Sequence, residues 1–243
     1  MDPRPAVIGK RLEKIRRILA VSGGKGGVGK SSVSAALAVV LRDLDYRVGL
    51  LDLDFYGPSA HVILGAGRRR PREEKGLVPV RVKGIEFLSI VHFAGNRPSP
   101  LRGPALTDAL IEMLAVTRWG PLDFLVVDMP PGLGDPMLDA MRLLKKARYL
   151  VVTTPSRVSL ETVRKLVALL TEQKAHLLGF VENMRKPGDP PAADRLKPFR
   201  LRLLGEIPYD PGLEESLGSA TALGRTDFAK ALKEIVLRAT DFP

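Results

Sequence analysis

The stretch Gly23-Gly24-Lys25-Gly26-Gly27-Val28-Gly29-Lys30-Ser31-Ser32 constrains the chain more than any other. It follows a short apolar run, Ile18-Leu19-Ala20-Val21, that reads as a buried strand, and it leads into Val33 to Leu41, an apolar segment suited to a helix. Gly24, Gly29, Lys30 and Ser31 fill the spacing G-x-x-x-x-G-K-[ST]. At that spacing glycines let successive backbone N–H groups turn inward on phosphate oxygens at a helix N-terminus, Lys30 reaches the terminal phosphates, and the Ser31 hydroxyl ligates Mg2+. A glycine-rich turn alone is only a turn; strand, Lys-Ser pair and helix together make it a phosphate-binding loop.

The second lysine narrows the choice. Lys25-Gly26-Gly27-Val28-Gly29-Lys30-Ser31 gives K-G-G-x-G-K-S, which resembles the deviant Walker A loop of the MinD, ParA and Mrp group of ATPases. The resemblance implies an ATP-dependent dimer in which Lys25 reaches the partner's nucleotide, with Gly24, Lys25, Gly26, Gly27, Val28, Gly29, Lys30, Ser31 and Ser32 as nucleotide contacts. The spacing itself does not select the nucleotide.

At 243 residues the chain suits one α/β domain spanning 1–243 with a sizeable core. Hydrophobic residues make up 45% and charged residues 27%, which is ordinary for a globular protein. No apolar run approaches the roughly 18 residues that a membrane helix needs, so no transmembrane segment is expected. Met1-Asp2-Pro3-Arg4-Pro5 lacks a signal-peptide apolar core, and a cytoplasmic setting is the expectation. There is no cysteine, which excludes disulfides, thiolate catalysis and cysteine-ligated clusters within this chain. His61, His92 and His176 form no local metal-ligand pattern. The net charge of +11 suits an acidic protein, a nucleic acid or an anionic membrane as partner, without choosing among them.

Residues 7 to 17 mix Val7, Ile8, Leu12 and Ile15 with basic side chains and suggest a basic amphipathic helix. Arg47 to Asp54 reads as a second buried strand in which Asp52 and Asp54, alternating, share a face beside the phosphate loop. The segment Asp52-Leu53-Asp54-Phe55-Tyr56-Gly57-Pro58-Ser59 is similar to the D-x-D-x-x-G-P-S of the Mrp/ApbC family, relatives of eukaryotic cytosolic iron-sulfur scaffold ATPases. That similarity makes Asp54 the candidate that orients the attacking water and Asp52 a support for Mg2+ and its waters. Residues 65 to 76, with Arg68-Arg69-Arg70, read as an exposed loop, and the β-like runs Leu77 to Val80 and Ile85 to Val91 as a hairpin or an edge strand. A helix from about Ala105 to Val116 follows Arg102-Gly103-Pro104, another Mrp-like triplet.

Leu122 to Asp128 reads as a third buried strand, and Asp128 fits a Walker B carboxylate holding Mg2+ through water. Met129-Pro130-Pro131-Gly132-Leu133-Gly134-Asp135 follows the family's second switch except that Leu133 replaces a threonine; there Gly132 offers its N–H to the terminal phosphate. Tyr149 to Pro155 and His176 to Val181 supply further strands, Ser159 to Glu172 a helix covering the sheet, and Asp227 to Ala239 the closing helix. Asn183 matches the family's V-x-N-M segment, where the asparagine amide meets the base edge. Pro208 lies in a G-x-I-P-x-D segment whose backbone flanks the base, so adenine binding is implied by similarity.

The resemblance fails at one place. Iron-sulfur carriers of this family have a C-x-x-C motif soon after the N-M pair, where this chain has Arg185-Lys186-Pro187-Gly188-Asp189-Pro190-Pro191-Ala192-Ala193-Asp194. These residues offer no soft donor. Residues 185 to 202 hold six basic and two acidic side chains with Phe199 as their aromatic, and read as an exposed loop or a partner surface.

The expectation is a doubly wound α/β fold, a mainly parallel sheet of about seven strands flanked by helices, of the MinD-like P-loop NTPase type. Function is expected to be slow Mg-ATP hydrolysis by a homodimer, with Lys25, Lys30 and Asp54 catalytic and Ser31, Asp52 and Asp128 around Mg2+. Two alternatives are a ParA- or MinD-like positioning ATPase that binds DNA or another acidic partner, and a regulatory module that holds nucleotide without turnover. A cysteine-bearing relative completing a mixed dimer is a further partner to consider.

Overall fold

The computed structural model describes residues 2–67, 69–94, 101–191, 194, 197 and 201–239. Its framework is an eight-stranded sheet formed by β1 (Ile15–Gly23), β2 (Val48–Asp52), β5 (Val80–Val82), β6 (Ile85–Ser89), β7 (Leu122–Asp128), β8 (Ala147–Thr153), β9 (His176–Arg185) and β10 (Leu203–Pro208). The order across the sheet is β10-β9-β8-β1-β7-β2-β6-β5, and every pairing is parallel except β5 with β6. The two short strands β3 (Arg72–Glu73) and β4 (Leu77–Val78) form a separate antiparallel pair.

Parallel strands need a crossover between them, and the apolar period-3.6 segments supply it as helices on both faces. One layer holds α2 (Lys30–Asp43), α3 (Ala60–Leu64), α9 (Ala220–Leu223) and α10 (Asp227–Arg238), packed on Leu19, Val21, Phe124 and Val126. The other holds α1 (Arg4–Leu12), α5 (Pro104–Val116), α6 (Asp135–Leu143) and α7 (Arg157–Glu172), packed on Ala20, Leu125, Val127 and Val151. The alternation along Ile18–Val21 of β1 and Phe124–Val127 of β7 divides these two cores, because successive strand side chains point to opposite faces. Each fully buried Leu or Val in them contributes about 1.5–3 kcal/mol relative to exposure. The short helices α4 (Val91–Ala94) and α8 (Gly212–Glu215) complete the elements named below.

Several expectations change. The basic helix ends at Leu12, and Ile15-Arg16-Arg17 already belong to β1. Arg16 pairs with Asp123 at 3.6 Å and Arg17 stacks over the Phe124 ring at 5.7 Å, so partners on the next strand hold both cations at the N-terminal end of β1. The second strand stops at Asp52 and leaves Asp54 in a turn. The expected loop at 65–76 contains β3, while Pro79 separates Leu77–Val78 from the β5–β6 hairpin. The sheet has one strand more than the seven expected, and α6 was not foreseen. Arg68, Ala192, Ala193 and Phe199 lie outside the described residues.

Candidate functional site

The site lies where β1, β2, β6 and β7 reach their C-terminal ends. Parallel register sets Ser89, Asp52 and Asp128 side by side, Ser89 opposite Asp52 and Asp52 opposite Asp128, with Val21 of β1 next in the row. All three polar side chains are fully buried. A buried polar atom needs a partner, and most of those here have one. Asp52 Oδ1 accepts from the Asp54 backbone N–H at 3.0 Å, and Asp52 Oδ2 accepts from the Ser89 hydroxyl at 3.1 Å. Asp128 Oδ1 accepts from Lys30 Nζ at 2.6 Å and from the Ser34 hydroxyl at 3.0 Å. Asp128 Oδ2 is buried with no partner among the described residues. Burial, and next the charge of Asp128 beside it, push the Asp52 carboxyl well above the usual carboxylate range.

The phosphate-loop sequence fits over this row. Gly29 caps α2 at φ +83°, and a side chain there would collide with Asn183 Nδ2. Gly27 has φ +80° with open space around it, and Gly24 is packed against the Thr162 backbone of α7. Val28 is buried, and its carbonyl accepts from Asn183 Nδ2 at 2.9 Å. This contact turns the Asn183 amide so that Oδ1 is left as an acceptor.

A cleft of about 260 Å³ opens above the loop. Of the residues singled out by sequence, Lys25, Gly26, Gly27, Gly29, Lys30 and Ser31 line it, together with Ser32 and Asp54. Gly57 and Ser59, from the segment after Asp54, and Pro131, from the segment after Asp128, line it as well. Asp54 Oδ1 accepts from the Tyr56 and Gly57 N–H groups at 3.2 and 2.9 Å, a turn that fixes the carboxylate at the cleft wall. Asp52 and Asp128 lie beneath the cleft rather than in its lining. Gly132, also outside the lining, follows Pro131 with φ +80°. Pro208 ends β10 in register with Arg185, two residues past Asn183. Leu133 is half-buried against the second core, so its methyl groups occupy apolar surroundings where a hydroxyl would have none of that packing.

Two placements differ from expectation. Lys30 lies on Asp128 instead of extending over the loop, and Asp54 shares no extended face with Asp52. Ser89 was missed outright. The signal for it is that β6 ends its apolar run on a polar residue, as β2 and β7 do. A larger cavity of about 930 Å³ lies away from this chemistry, against α5, with walls that include Leu77, Ile90, Met113 and Val116.

The chemistry of the donors can be tested against Mg2+. A hard cation takes oxygen ligands, and Ser31, Asp52 and Asp128 offer only oxygen, with Asp128 Oδ2 lacking a partner. The residues fit the ion.

The model of the family described as "ParA: NUBPL iron-transfer P-loop NTPase" matches residues 14–238. The chain belongs to this P-loop NTPase family. The iron-sulfur cluster carrier protein of Aquifex aeolicus is 39% identical over 228 residues, covering 87% of this chain and 63% of the relative. The carrier protein of Escherichia coli K12 is 36% identical over 233 residues, 89% of this chain and 63% of the relative. The chain thus spans just under two thirds of the length of these carriers. Among solved structures, an Archaeoglobus fulgidus nucleotide-binding protein in complex with ADP superimposes with a TM-score of 0.76 at 32% identity, covering 92% of each chain. The septum site-determining protein MinD of Pyrococcus horikoshii, complexed with Mg-ADP, gives 0.69 at 24% identity over 90% of this chain and 93% of that one, and shows the shared fold. This family member has no cysteine. No helix among its described residues is long and apolar enough to cross a membrane.

Proposed function

We propose that residues 1–243 form one Mg-ATP-hydrolysing domain that works as an ATP-dependent homodimer and holds no cysteine-ligated cluster. The single observation that carries this reading is the buried Lys30–Asp128–Asp52 row beneath a glycine-rich loop, with one carboxylate oxygen unpartnered. Backbone N–H groups of Gly27 and Gly29 receive phosphate oxygens, and Lys30 exchanges Asp128 for the terminal phosphates. Ser31 and Asp128, with Asp52 behind, would hold Mg2+, which when bound would supply charge neutralisation for the phosphates. Asp54, fixed by its turn, orients water. Lys25 is half-buried at the cleft and makes no ion pair among the described residues, as suits a cation meant for a phosphate of the partner copy. The free Oδ1 of Asn183 complements an amino group, as on adenine, better than a carbonyl, as on guanine.

The test is phosphate release from ATP and from GTP with Mg2+, with molar mass read in the same samples, for the wild type, Lys25→Ala and Asp54→Ala. Turnover of ATP over GTP, lost in both variants, with ATP-dependent dimerisation lost in Lys25→Ala, is the expected result. Binding without turnover in the wild type sinks the hydrolytic reading and leaves a regulatory nucleotide module.

The net charge of +11 favours a second reading, a positioning ATPase that binds DNA or another acidic partner when ATP is bound. An ATP-dependent, salt-sensitive gel shift on nonspecific DNA supports it; no shift at low salt removes it. A cysteine-bearing relative in a mixed dimer, as the carrier proteins among its relatives suggest, would appear as a heterodimer on co-expression. A cytoplasmic setting accompanies either reading.

A further inference from the structure

Ser89 occupies the end of β6 at the same level as the two carboxylates, and its contacts fix the direction of its hydroxyl. Its Oγ lies 3.5 Å from the Val91 N–H, on the acceptor side, and 3.1 Å from Asp52 Oδ2, to which it donates. Its backbone N–H donates to His92 Nδ1 at 3.1 Å, which ties the start of α4 back onto the strand. The proton therefore points at Asp52. The other oxygen of Asp52 receives the Asp54 N–H, and the Asp54 carboxylate in turn gathers the Tyr56 and Gly57 N–H groups. One continuous set of hydrogen bonds runs from the fully buried Ser89 to the wall of the nucleotide cleft.

We propose that Ser89 is a positioning residue of this site: its hydroxyl holds the Asp52 carboxyl group in the orientation that anchors the Asp54 turn. Asp52 has a single hydrogen bond at each oxygen. Removing the Ser89 hydroxyl leaves Oδ2 buried with no donor, and a buried carboxylate without donors turns toward whatever donor it can reach. Lys30 and the Asp128 row are the charges beside it, so the rotation that satisfies Oδ2 carries Oδ1 off the Asp54 N–H. The inference rests on the hydrolytic reading only for what Asp54 does, and the anchoring itself is measurable without turnover.

The experiment is amide hydrogen exchange of the full, nucleotide-free chain in the wild type, Ser89→Ala and Ser89→Thr, followed by steady-state phosphate release from Mg-ATP. Exchange at Asp54, Tyr56 and Gly57 should quicken roughly tenfold in Ser89→Ala, an opening about 1.4 kcal/mol easier by the factor of ten in an equilibrium constant. It should return toward wild type in Ser89→Thr, with residues 23 to 32 unchanged in both. In turnover, kcat should fall in Ser89→Ala while KM for ATP stays within twofold, because the phosphate loop is untouched. Wild-type exchange at 54–57 in Ser89→Ala, or equal acceleration in both variants and throughout the sheet, overturns the proposal and marks Ser89 as packing alone. Absence of phosphate release from the wild type defeats the hydrolytic reading instead, and the exchange result still decides the role of Ser89.

Discussion

Lys30 Nζ lies 2.6 Å from Asp128 Oδ1, joining the first residue of α2 to the last residue of β7 through an ion pair in which both side chains are buried. Taking one member away leaves a buried charge without its counterion, which costs about 3–5 kcal/mol. Lys30→Met and Asp128→Leu should each lower the urea midpoint by an amount of that order. The double variant should lose much less than the sum of the two, because neither charge is then stranded. Additive losses would mean that the two charges are not coupled in the folded chain and would refute the stabilising ion pair.

Gly29 and Gly27 separate backbone strain from collision. Both have left-handed φ, at +83° and +80°, but only at Gly29 would a Cβ strike another group, the Asn183 amide. Gly27→Ala should cost about 1–2 kcal/mol for the left-handed backbone alone. Gly29→Ala should cost more and also expel Asn183 from Val28, so fluorescent ADP-analogue affinity should fall further than in Gly27→Ala. Adding Asn183→Ala to Gly29→Ala should recover part of the stability in a denaturant titration. Equal losses at the two glycines would refute the collision.

The strand bearing Asp128 could be read from sequence to the residue, Leu122 to Asp128, because seven apolar-rich positions end on an acid and both faces of that strand are buried. The phosphate loop was legible for a different reason: its chemistry is local, fixed by spacing within ten residues. What could not be read is what depends on neighbours. Arg16 and Arg17 resembled helix-surface cations until Asp123 and Phe124, on the adjacent strand, gave them partners. Ser89 had no motif, and its importance comes from register against Asp52, a pairing 37 residues away. Lys30 was assigned to phosphate by its motif, while its contact with Asp128 needs the β7 end brought beneath α2.

His92 predicts a pH dependence. Burial pulls its imidazole down to about 4 from an ordinary 6.5, while its Nδ1 accepts the Ser89 N–H and its Nε2 is buried without a partner among the described residues. The folded state therefore keeps His92 neutral where the unfolded chain protonates. Stability is unaffected above pH 6.5, falls as pH drops from about 6.5 to about 4, and levels off below that. Because the side chain is only half-buried, the loss from this group is on the order of 1–2 kcal/mol rather than the full linkage value. His61, lowered by burial as well, acts in the same direction. His92→Asn should flatten the fall in unfolding free energy between pH 7 and 5; an unchanged slope would assign it to other groups.

The absence of cysteine carries the sharpest chemical prediction. Iron-sulfur clusters are held by thiolates, with imidazole as an occasional substitute, and this chain has three histidines and no cysteine. Among the described residues no group of three or more His, Cys, Asp or Glu side chains is placed to hold a metal ion. The Ser31, Asp52 and Asp128 set is all hard oxygen, matched to Mg2+ and poorly matched to a sulfide-bridged cluster. Anaerobic incubation of the purified chain with ferrous iron and sulfide, followed by desalting, should therefore leave no visible charge-transfer absorption and no sulfide retained with the protein. The same incubation with the Aquifex aeolicus relative, named an iron-sulfur cluster carrier protein, is the positive arm. Retained iron and sulfide with visible bands in this chain alone would show a cluster ligated without thiolate and would reverse the reading.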